Sequence, residues 1–335
     1  MARTILITGA SGFIGSHLVE EGLRRGYEVY ASIRKTSSKQ YLDDPRIRFM
    51  ELDFSHPETL TGQLKKYNEE GFRFDYIVHS AGITRALNKQ EFFRVNDQFT
   101  RNFVEGLCAA GLIPGKFIFM SSLAAIGPGD PVTMDPLSDQ SVPSPIDSYG
   151  KSKLAAERYL QALAGFPSLI VRPTGVYGPR EKDYLNVYRN LNRGFEFYAG
   201  SKTQRTSFLY IDDLISIIYT LLDSKFLNKT WVVSDGSNYS AVEFCALVKK
   251  ILNKKAIPLI VPLSFIRLLA GIQELMYKPF GTLPVLTRDK AAIIGSQNWQ
   301  CDPSGIFKDI TFSPRYSLEE GLYETIAWNR QHGIL

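Results

Sequence analysis

Short apolar runs closed by glycine or polar turns recur along the first half of the chain, and stretches with apolar residues three and four apart alternate with them. Ile5-Leu6-Ile7 reads as a buried parallel strand. Residues 13–25 read as a helix, with Ile14 and Leu18 on one face and Gly26 suited to the left-handed position beyond its end. Further strands are expected at 28–33, 47–52, 74–78, 117–120 and 169–172. Helices are expected from Asn96 to about Ala110, where Gly111 stops the pattern, and from Tyr149 through Ala164. Beyond residue 180 the rhythm weakens. Short strands at 208–211 and 231–234 flank a helix opening at Asp212 or Asp213, and 242–252, 263–277 and 318–330 are mostly helical. The pattern predicts an α/β chain, a doubly wound parallel sheet followed by a smaller, mostly helical domain. Residues 1–178, with returning segments at about 206–235, would form the sheet domain. Residues 179–205 and 236–335 would form the cap over the substrate.

The chain has 335 residues, enough for a full core. Its 39 basic and 34 acidic residues leave a net charge of +5. The basic residues are scattered, so nucleic acid is not an expected partner. Cys108, Cys245 and Cys301 are odd in number and far apart, with no metal-ligand spacing. They are expected as reduced thiols in a cytoplasmic protein that holds no metal. The N-terminal apolar run is too short for a signal peptide. Residues 257–277 are the most apolar later stretch. Pro258 and Pro262 interrupt it, and Arg267 and Glu274 punctuate it, so it is not expected to cross a bilayer.

Candidate chemistry begins at Thr8-Gly9-Ala10-Ser11-Gly12-Phe13-Ile14-Gly15, set between the first strand and first helix. A glycine turn running into a helix N-terminus binds anions, because unpaired N–H groups and the helix dipole face it. Gly9 allows the tight turn, Gly12 the approach of a pyrophosphate, and Gly15 the packing of helix on strand. Gly9, Ser11, Gly12, Phe13, Ile14 and Gly15 are thus candidate contacts of a dinucleotide in a Rossmann-type fold. The second strand ends at Arg34-Lys35, with no acid between Val29 and Gln40. An acid there would hold the ribose 2′-hydroxyl of NAD, whereas Arg34 suits the 2′-phosphate of NADP. NADP is therefore the preferred expectation, with NAD the alternative. Asp53-Phe54 at the end of the third strand offers an acceptor and a ring for adenine, or else Asp53 is a helix N-cap or a loop acid. Ala81 and Gly82 after the fourth strand leave room for the cofactor backbone. His79 beside them is expected as a packed, hydrogen-bonded residue and not a catalyst.

The fifth strand delivers Ser121-Ser122 at its C-terminal end, where open α/β sheets bind ligands. A proline-rich connection over 127–148 follows, and then Tyr149-Gly150-Lys151-Ser152-Lys153. Tyr149 and Lys153, four apart, share a helix face. A free phenol titrates near 10, and a neighbouring ammonium lowers that value. Tyr149 could then exchange a proton with an alcohol or ketone oxygen, Lys153 could hold the nicotinamide ribose, and Ser122 could orient the same oxygen.

The glycine motif, Asp53, His79 to Gly82, Asn96, Ser122, Tyr149/Lys153, Arg172-Pro173, Val176-Tyr177-Gly178-Pro179-Arg180 and Gln204-Arg205 through Asp213 stand in one order. In that order the chain resembles an extended short-chain dehydrogenase/reductase, the family of nucleotide-sugar epimerases, dehydratases and dihydroflavonol reductases. The resemblance runs from Thr4 to about Trp328. It implies Tyr149 as acid/base, Lys153 as its partner and Ser122 as hydrogen-bond donor. It places Pro173 and Val176 near the nicotinamide, Thr84 and Arg205 at the substrate, and a homodimer built through sheet-covering helices. Two departures matter. Family dehydratases carry an Asp-Glu pair where this chain has Leu123 and Ala124, which disfavours elimination of water. Ile126 replaces a tyrosine common near the substrate of sugar epimerases.

The leading expectation is an NAD(P)-dependent oxidoreductase acting at a secondary alcohol or ketone. The alternatives are a nucleotide-sugar epimerase with tightly bound NAD and a non-catalytic dinucleotide sensor. The apolar segment 263–277 has three readings: ordinary cap core, the lining of an apolar substrate pocket, or a membrane-surface helix.

Overall fold

The computed structural model describes residues 2–277 and 286–335. Met1 and residues 278–285, which belong to the expected sheet domain and cap, lie outside the described residues. The chain divides into two compact units. One holds Met1–Ser121, Lys151–Arg172 and Ile215–Thr230; the other holds Ser122–Gly150, Pro173–Leu214 and Trp231–Leu335.

In the first unit β1 (Thr4–Thr8) is apolar because both its faces are covered; Ile5, Leu6 and Ile7 have no exposed surface. It enters α1 (Phe13–Arg24), which buries Leu18, Val19 and Leu23 and ends before Gly26 at φ +79°. Then come β2 (Glu28–Ser32), β3 (Arg48–Met50), α2 (Pro57–Glu69), opened by a proline at its first position, and β4 (Tyr76–His79). The next helix starts earlier than its apolar pattern indicates. Asn88 accepts from the Glu91 N–H and caps α3 (Lys89–Phe92), which runs through a π-helical turn at Phe93–Gln98 into α4 (Phe99–Ala109). Asn96 sits in that π-turn, fully buried. β5 (Lys116–Met120), a 3₁₀ turn at Leu123–Ala125, α5 (Ser148–Ala162) and β6 (Ser168–Pro173) follow.

The chain continues through β7 (Gly175–Tyr177), α6 (Leu185–Asn192), β8 (Phe195–Ala199), β9 (Arg205–Thr206), β10 (Phe208–Tyr210), α7 (Ile211–Asp223) and β11 (Lys229–Val233). The main sheet has the order β3-β2-β1-β4-β5-β6-β11. The strands from β3 to β6 pair in parallel. Strand order reverses between β1 and β4, the position where doubly wound sheets open a crevice for ligands. Lys116 is buried at the start of β5 and donates to the Leu221 and Leu222 carbonyls at the end of α7, where the helix dipole favours a cation.

The remaining elements are β12 (Tyr239–Ser240), α8 (Ala241–Leu252), β13 (Ile257–Val261), α9 (Leu263–Tyr277), α10 (Arg288–Gly295), β14 (Asn298–Trp299), α11 (Ser304–Ile310) and α12 (Leu318–Gln331). Helices α8 and α12 each begin with a capping box, Ser240/Glu243 and Ser317/Glu320. Leu123, Ile126, Leu137, Val232, Trp299 and Cys301 form one core of the second unit. The connection after Ile126 is held down along its length. Gly129 donates to the Asn298 carbonyl, Asn298 donates to the carbonyls of Asp130 and Asp135, and the Gln300 side chain donates to that of Met134. Among the described residues, no helix is long and apolar enough to cross a membrane.

Candidate functional site

The glycine turn is sterically fixed. Gly9 has φ +65°, and a Cβ built there would lie 2.8 Å from the Ala81 backbone. At Gly15 a Cβ would lie 2.1 Å from the Gly9 carbonyl oxygen, and at Gly12 it would lie 3.2 Å from the same atom. Gly9 accepts from the Gly12 N–H at 2.9 Å, closing the turn. Gly12 is the N-cap of α1; no side chain caps it and no acid sits in the first turn. Gly12 is exposed, and Ser11, Phe13 and Ile14 are part-buried. This narrow, side-chain-free cradle at a helix N-terminus fits a pyrophosphate. Register across the sheet places Thr8 beside His79, so Ala81 and Gly82 border the same turn; the Ala81 N–H donates to Thr8 Oγ1.

At the end of β2 the Arg34 and Lys35 side chains are exposed. Lys35 approaches Glu51 at 4.0 Å, while the Arg34 guanidinium makes no ion pair or hydrogen bond among the described residues. Asp53 turns back on its own loop. It accepts from the Ser55 hydroxyl at 2.5 Å and the Ser55 N–H at 3.0 Å, and His56 Nδ1 lies 2.8 Å away; the hydroxyl foremost, these hold its carboxyl below the usual range. Phe54 packs edge-on against Phe103. These are the contacts of a loop acid and a core ring, the alternative left open for this pair.

His79 lies with Nδ1 2.8 Å from Thr8 Oγ1 and Nε2 3.1 Å from Thr100 Oγ1. Burial, with Lys153 adding to it, holds its pKa down to about 3. It is a neutral hydrogen-bonded spacer. Asn96, carried inward by the π-turn, accepts from the Ile83 N–H and donates to the Ile83 carbonyl and to Ser152 Oγ. It clamps the Gly82 loop to α5. A Cβ on Gly82 would lie 2.9 Å from Asn96 Oδ1 and 3.2 Å from Lys153 Nζ, so a side chain there would crowd both. Lys153 is 4% exposed, donates to the Met120 carbonyl at 2.9 Å, and is pulled down to about 8 by burial, with Glu157 opposing. Beneath it Glu157 grips Arg172 with both oxygens, at 3.0 and 2.6 Å, and accepts from the Ser121 hydroxyl.

In the second unit Ser122 caps the 3₁₀ turn, accepting from the Ala124 N–H. Tyr149 is part-buried in the first turn of α5, with Ser122 beside its phenol. Burial pushes its phenol up to about 12 against the lowering effect of Ser122, with the Asp147 carboxylate adding to the rise. The spacing predicts that the ammonium one turn on lowers this value; Lys153 is not among the groups that shift the phenol, and desolvation raises it. Gly150 is what lets the helix start reach the 3₁₀ turn, since a Cβ there would lie 2.1 Å from the Ala124 carbonyl oxygen. Two acids satisfy the helix start: Asp147 accepts from the Gly150 N–H and Asp289 from the Ser148 N–H. Sequence reasoning missed Asp147 and Asp289. Asp147, two residues before the helical tyrosine, carried a readable capping signal; Asp289 lies 140 residues away in the chain and carried none.

Pro173 is buried at the end of β6, and Val176 lies in β7, paired with Leu209 of β10. Thr84 is exposed. Arg205 is exposed in β9, between Ser240 of β12 and Asn298 of β14. Among the described residues no cluster of His, Cys, Asp or Glu could hold a metal ion.

Residues 5–234 match the model of the NAD dependent epimerase/dehydratase family, and the chain belongs to that family. It is similar to the UDP-glucose 4-epimerase of Vibrio cholerae, 29% identical over 97% of this chain and 95% of that one. It is also similar to the ceramide reductase of Caulobacter vibrioides, 29% identical over 62% of this chain and 57% of that one. The same fold occurs in the Bordetella bronchiseptica enzyme WbmG solved with NAD and UDP, at a TM-score of 0.78 and 21% identity over 100% of this chain and 97% of that one. Family and fold make this an enzyme of the NAD(P)-dependent oxidoreductase/epimerase class, an extended short-chain dehydrogenase/reductase.

Proposed function

We propose that the protein is a cytoplasmic reductase or dehydrogenase working at a secondary alcohol or ketone carbon, with NADP(H) its preferred dinucleotide. The observation that carries the reading is the placement of Ser122 beside the Tyr149 phenol, with Lys153 one helical turn further along α5. When bound, the dinucleotide would supply or take up the hydride. The glycine turn, Ala81, Gly82 and Lys153 would hold it, with Pro173 and Val176 at its nicotinamide end, Arg34 at an adenosine phosphate, and Asp53 and Phe54 at the adenine. Of these, Asp53 and Phe54 receive the least support, because their own loop and core already engage them. Ser122 orients the substrate oxygen, and Tyr149, protonated at neutral pH, delivers the proton to it in the reducing direction. Thr84 and Arg205 would contact the remainder of the substrate, and the protein would act as a homodimer. Leu123 and Ala124 supply no acid or base for dehydration.

A second reading is a UDP-sugar epimerase. It is supported by the similarity to the Vibrio cholerae UDP-glucose 4-epimerase over nearly the full length of both chains. Cofactor stoichiometry separates the two. A reductase consumes one reduced nicotinamide per product, read as loss of its absorbance with long-chain and cyclic ketones. Turnover of UDP-glucose with no net change in nicotinamide absorbance would replace the first reading with the second.

The cofactor assignment has its own test. Arg34→Asp removes a charge-assisted bond to phosphate and adds a repelling carboxylate. It should weaken NADPH binding by at least about tenfold while leaving NADH binding within a factor of about two. Equal losses for both dinucleotides, read by quenching of nicotinamide fluorescence, would remove Arg34 from the 2′-phosphate.

A further inference from the structure

Helix α9 is not cap core. Of its 15 residues only Ala270 is buried. Phe265, Leu268, Ile272 and Leu275 recur at helical spacing and are 50%, 60%, 44% and 75% exposed. The ribbon that precedes it repeats the pattern in strand form. β8 and β13 pair in parallel with Phe195 opposite Ile257 and Phe197 opposite Leu259, so these four side chains share one face, and all four are exposed. The opposite face of β8 buries Glu196 and Tyr198. Only Pro262 separates β13 from α9, and a Cβ on Gly200, just after β8, would lie 2.7 Å from Leu263 at the start of α9. Eleven of the 21 exposed large hydrophobic side chains among the described residues fall on β8, β13 and α9. Such concentration marks a docking surface, because scattered exposure is the norm.

The charges around it select the occupant. Arg193, Lys254 and Lys255 are exposed at the leading ends of the two strands, where the Ile257 N–H donates to the Gly194 carbonyl. Arg267, exposed on α9, makes no ion pair or hydrogen bond among the described residues, and with Arg288 of α10 it lines an open groove of about 660 Å³ whose other walls include Leu268, Ile272 and Leu275. Glu274 is the one acid on α9; it lies 3.4 Å from Arg288. Glu196, the one acid on the ribbon, is buried and bound to Lys249. A second copy of this face would bring like charges together. At 15 residues α9 is about 22 Å long, too short to span a bilayer but suited to lie in its plane.

We propose that α9 and the β8–β13 ribbon dock on an anionic lipid bilayer, apolar side chains entering the headgroup boundary and the cations meeting lipid phosphates. This goes beyond the reading of the reaction and does not depend on it. The full chain should float with vesicles of phosphatidylcholine containing phosphatidylglycerol, and much less with phosphatidylcholine alone. Leu268→Glu/Leu275→Glu should lower the partition coefficient at least tenfold. Lys254→Ala/Lys255→Ala, at exposed positions, should lower it by about 25-fold, a factor of roughly five for each cation near an anionic surface. Dinucleotide binding and the melting temperature should stay as in the wild type for both variants. Absence of flotation, equal flotation with neutral vesicles, or flotation unchanged in both variants would overturn the proposal. So would a wild-type dimer that the leucine variant converts to monomer without any vesicle binding, which would assign the face to a second copy.

Discussion

Tyr149→Phe should lower kcat/KM by about a thousandfold while dinucleotide affinity and the melting temperature stay close to wild type. General acid–base catalysis by one positioned side chain contributes about 10²–10⁴-fold, and here the phenol beside Ser122 is the proton-bearing group. Phe keeps the ring and its packing and removes only the hydroxyl. The pH profile adds a readout that a merely structural role leaves unmoved. Tyr149, pushed up to about 12, stays protonated through the neutral range, so it imposes no limb near pH 7 on reduction. Lys153, pulled down to about 8, loses its charge first, and with it the hold on the ribose proposed for it. Reduction should therefore fall as pH rises through about 8, and Lys153→Arg, always charged, should abolish that limb in whatever activity it retains. Stability moves in the opposite sense. The folded pKa of Lys153 lies below its unfolded value of 10.5, so the unfolded chain binds more protons between the two. The cost of burying the ammonium is fully present below about pH 8 and is relieved as pH rises toward 10.5. A Tyr149→Phe enzyme within threefold of wild type would remove the phenol from the chemistry and favour a dinucleotide-binding sensor.

The parts of this molecule that were legible in the sequence are those where one residue type is the only one that fits. Gly9 and Gly15 were readable because a Cβ at either would lie within 2.8 Å of backbone. The alternation of apolar runs was readable because the main sheet is covered on both faces. The apolar pattern begins at Asn96 and predicts a helix start there; the true start is set by the Asn88 cap, and the π-turn that buries Asn96 leaves no trace in periodicity. For Tyr149, spacing gives the neighbouring charge but not the desolvation that raises its phenol. Helix α9 shows the limit most clearly. Its composition fits a buried helix and an interfacial one equally, and only the exposure of Leu268 and Leu275 separates them.

The second large effect concerns the ion pair under the site. Glu157 has no exposed surface and Arg172 is 5% exposed. Truncation to Glu157→Ala leaves a buried guanidinium without its bidentate partner and the Ser121 hydroxyl without its acceptor. Removing one member of a buried pair costs about 3–5 kcal/mol, because the remaining charge stays desolvated and uncompensated. The double change Glu157→Leu/Arg172→Met takes both charges away at similar volume and should recover most of that loss in urea melts. Recovery distinguishes an electrostatic cost from a cavity, since the double variant changes the packing at two places instead of one. Glu157 also faces Lys153 one turn back along α5 and opposes the burial that lowers its pKa. In both variants the alkaline limb of the activity profile should therefore shift to lower pH. A limb that stays in place while stability falls would make Glu157 a purely structural residue with no hold on the lysine above it.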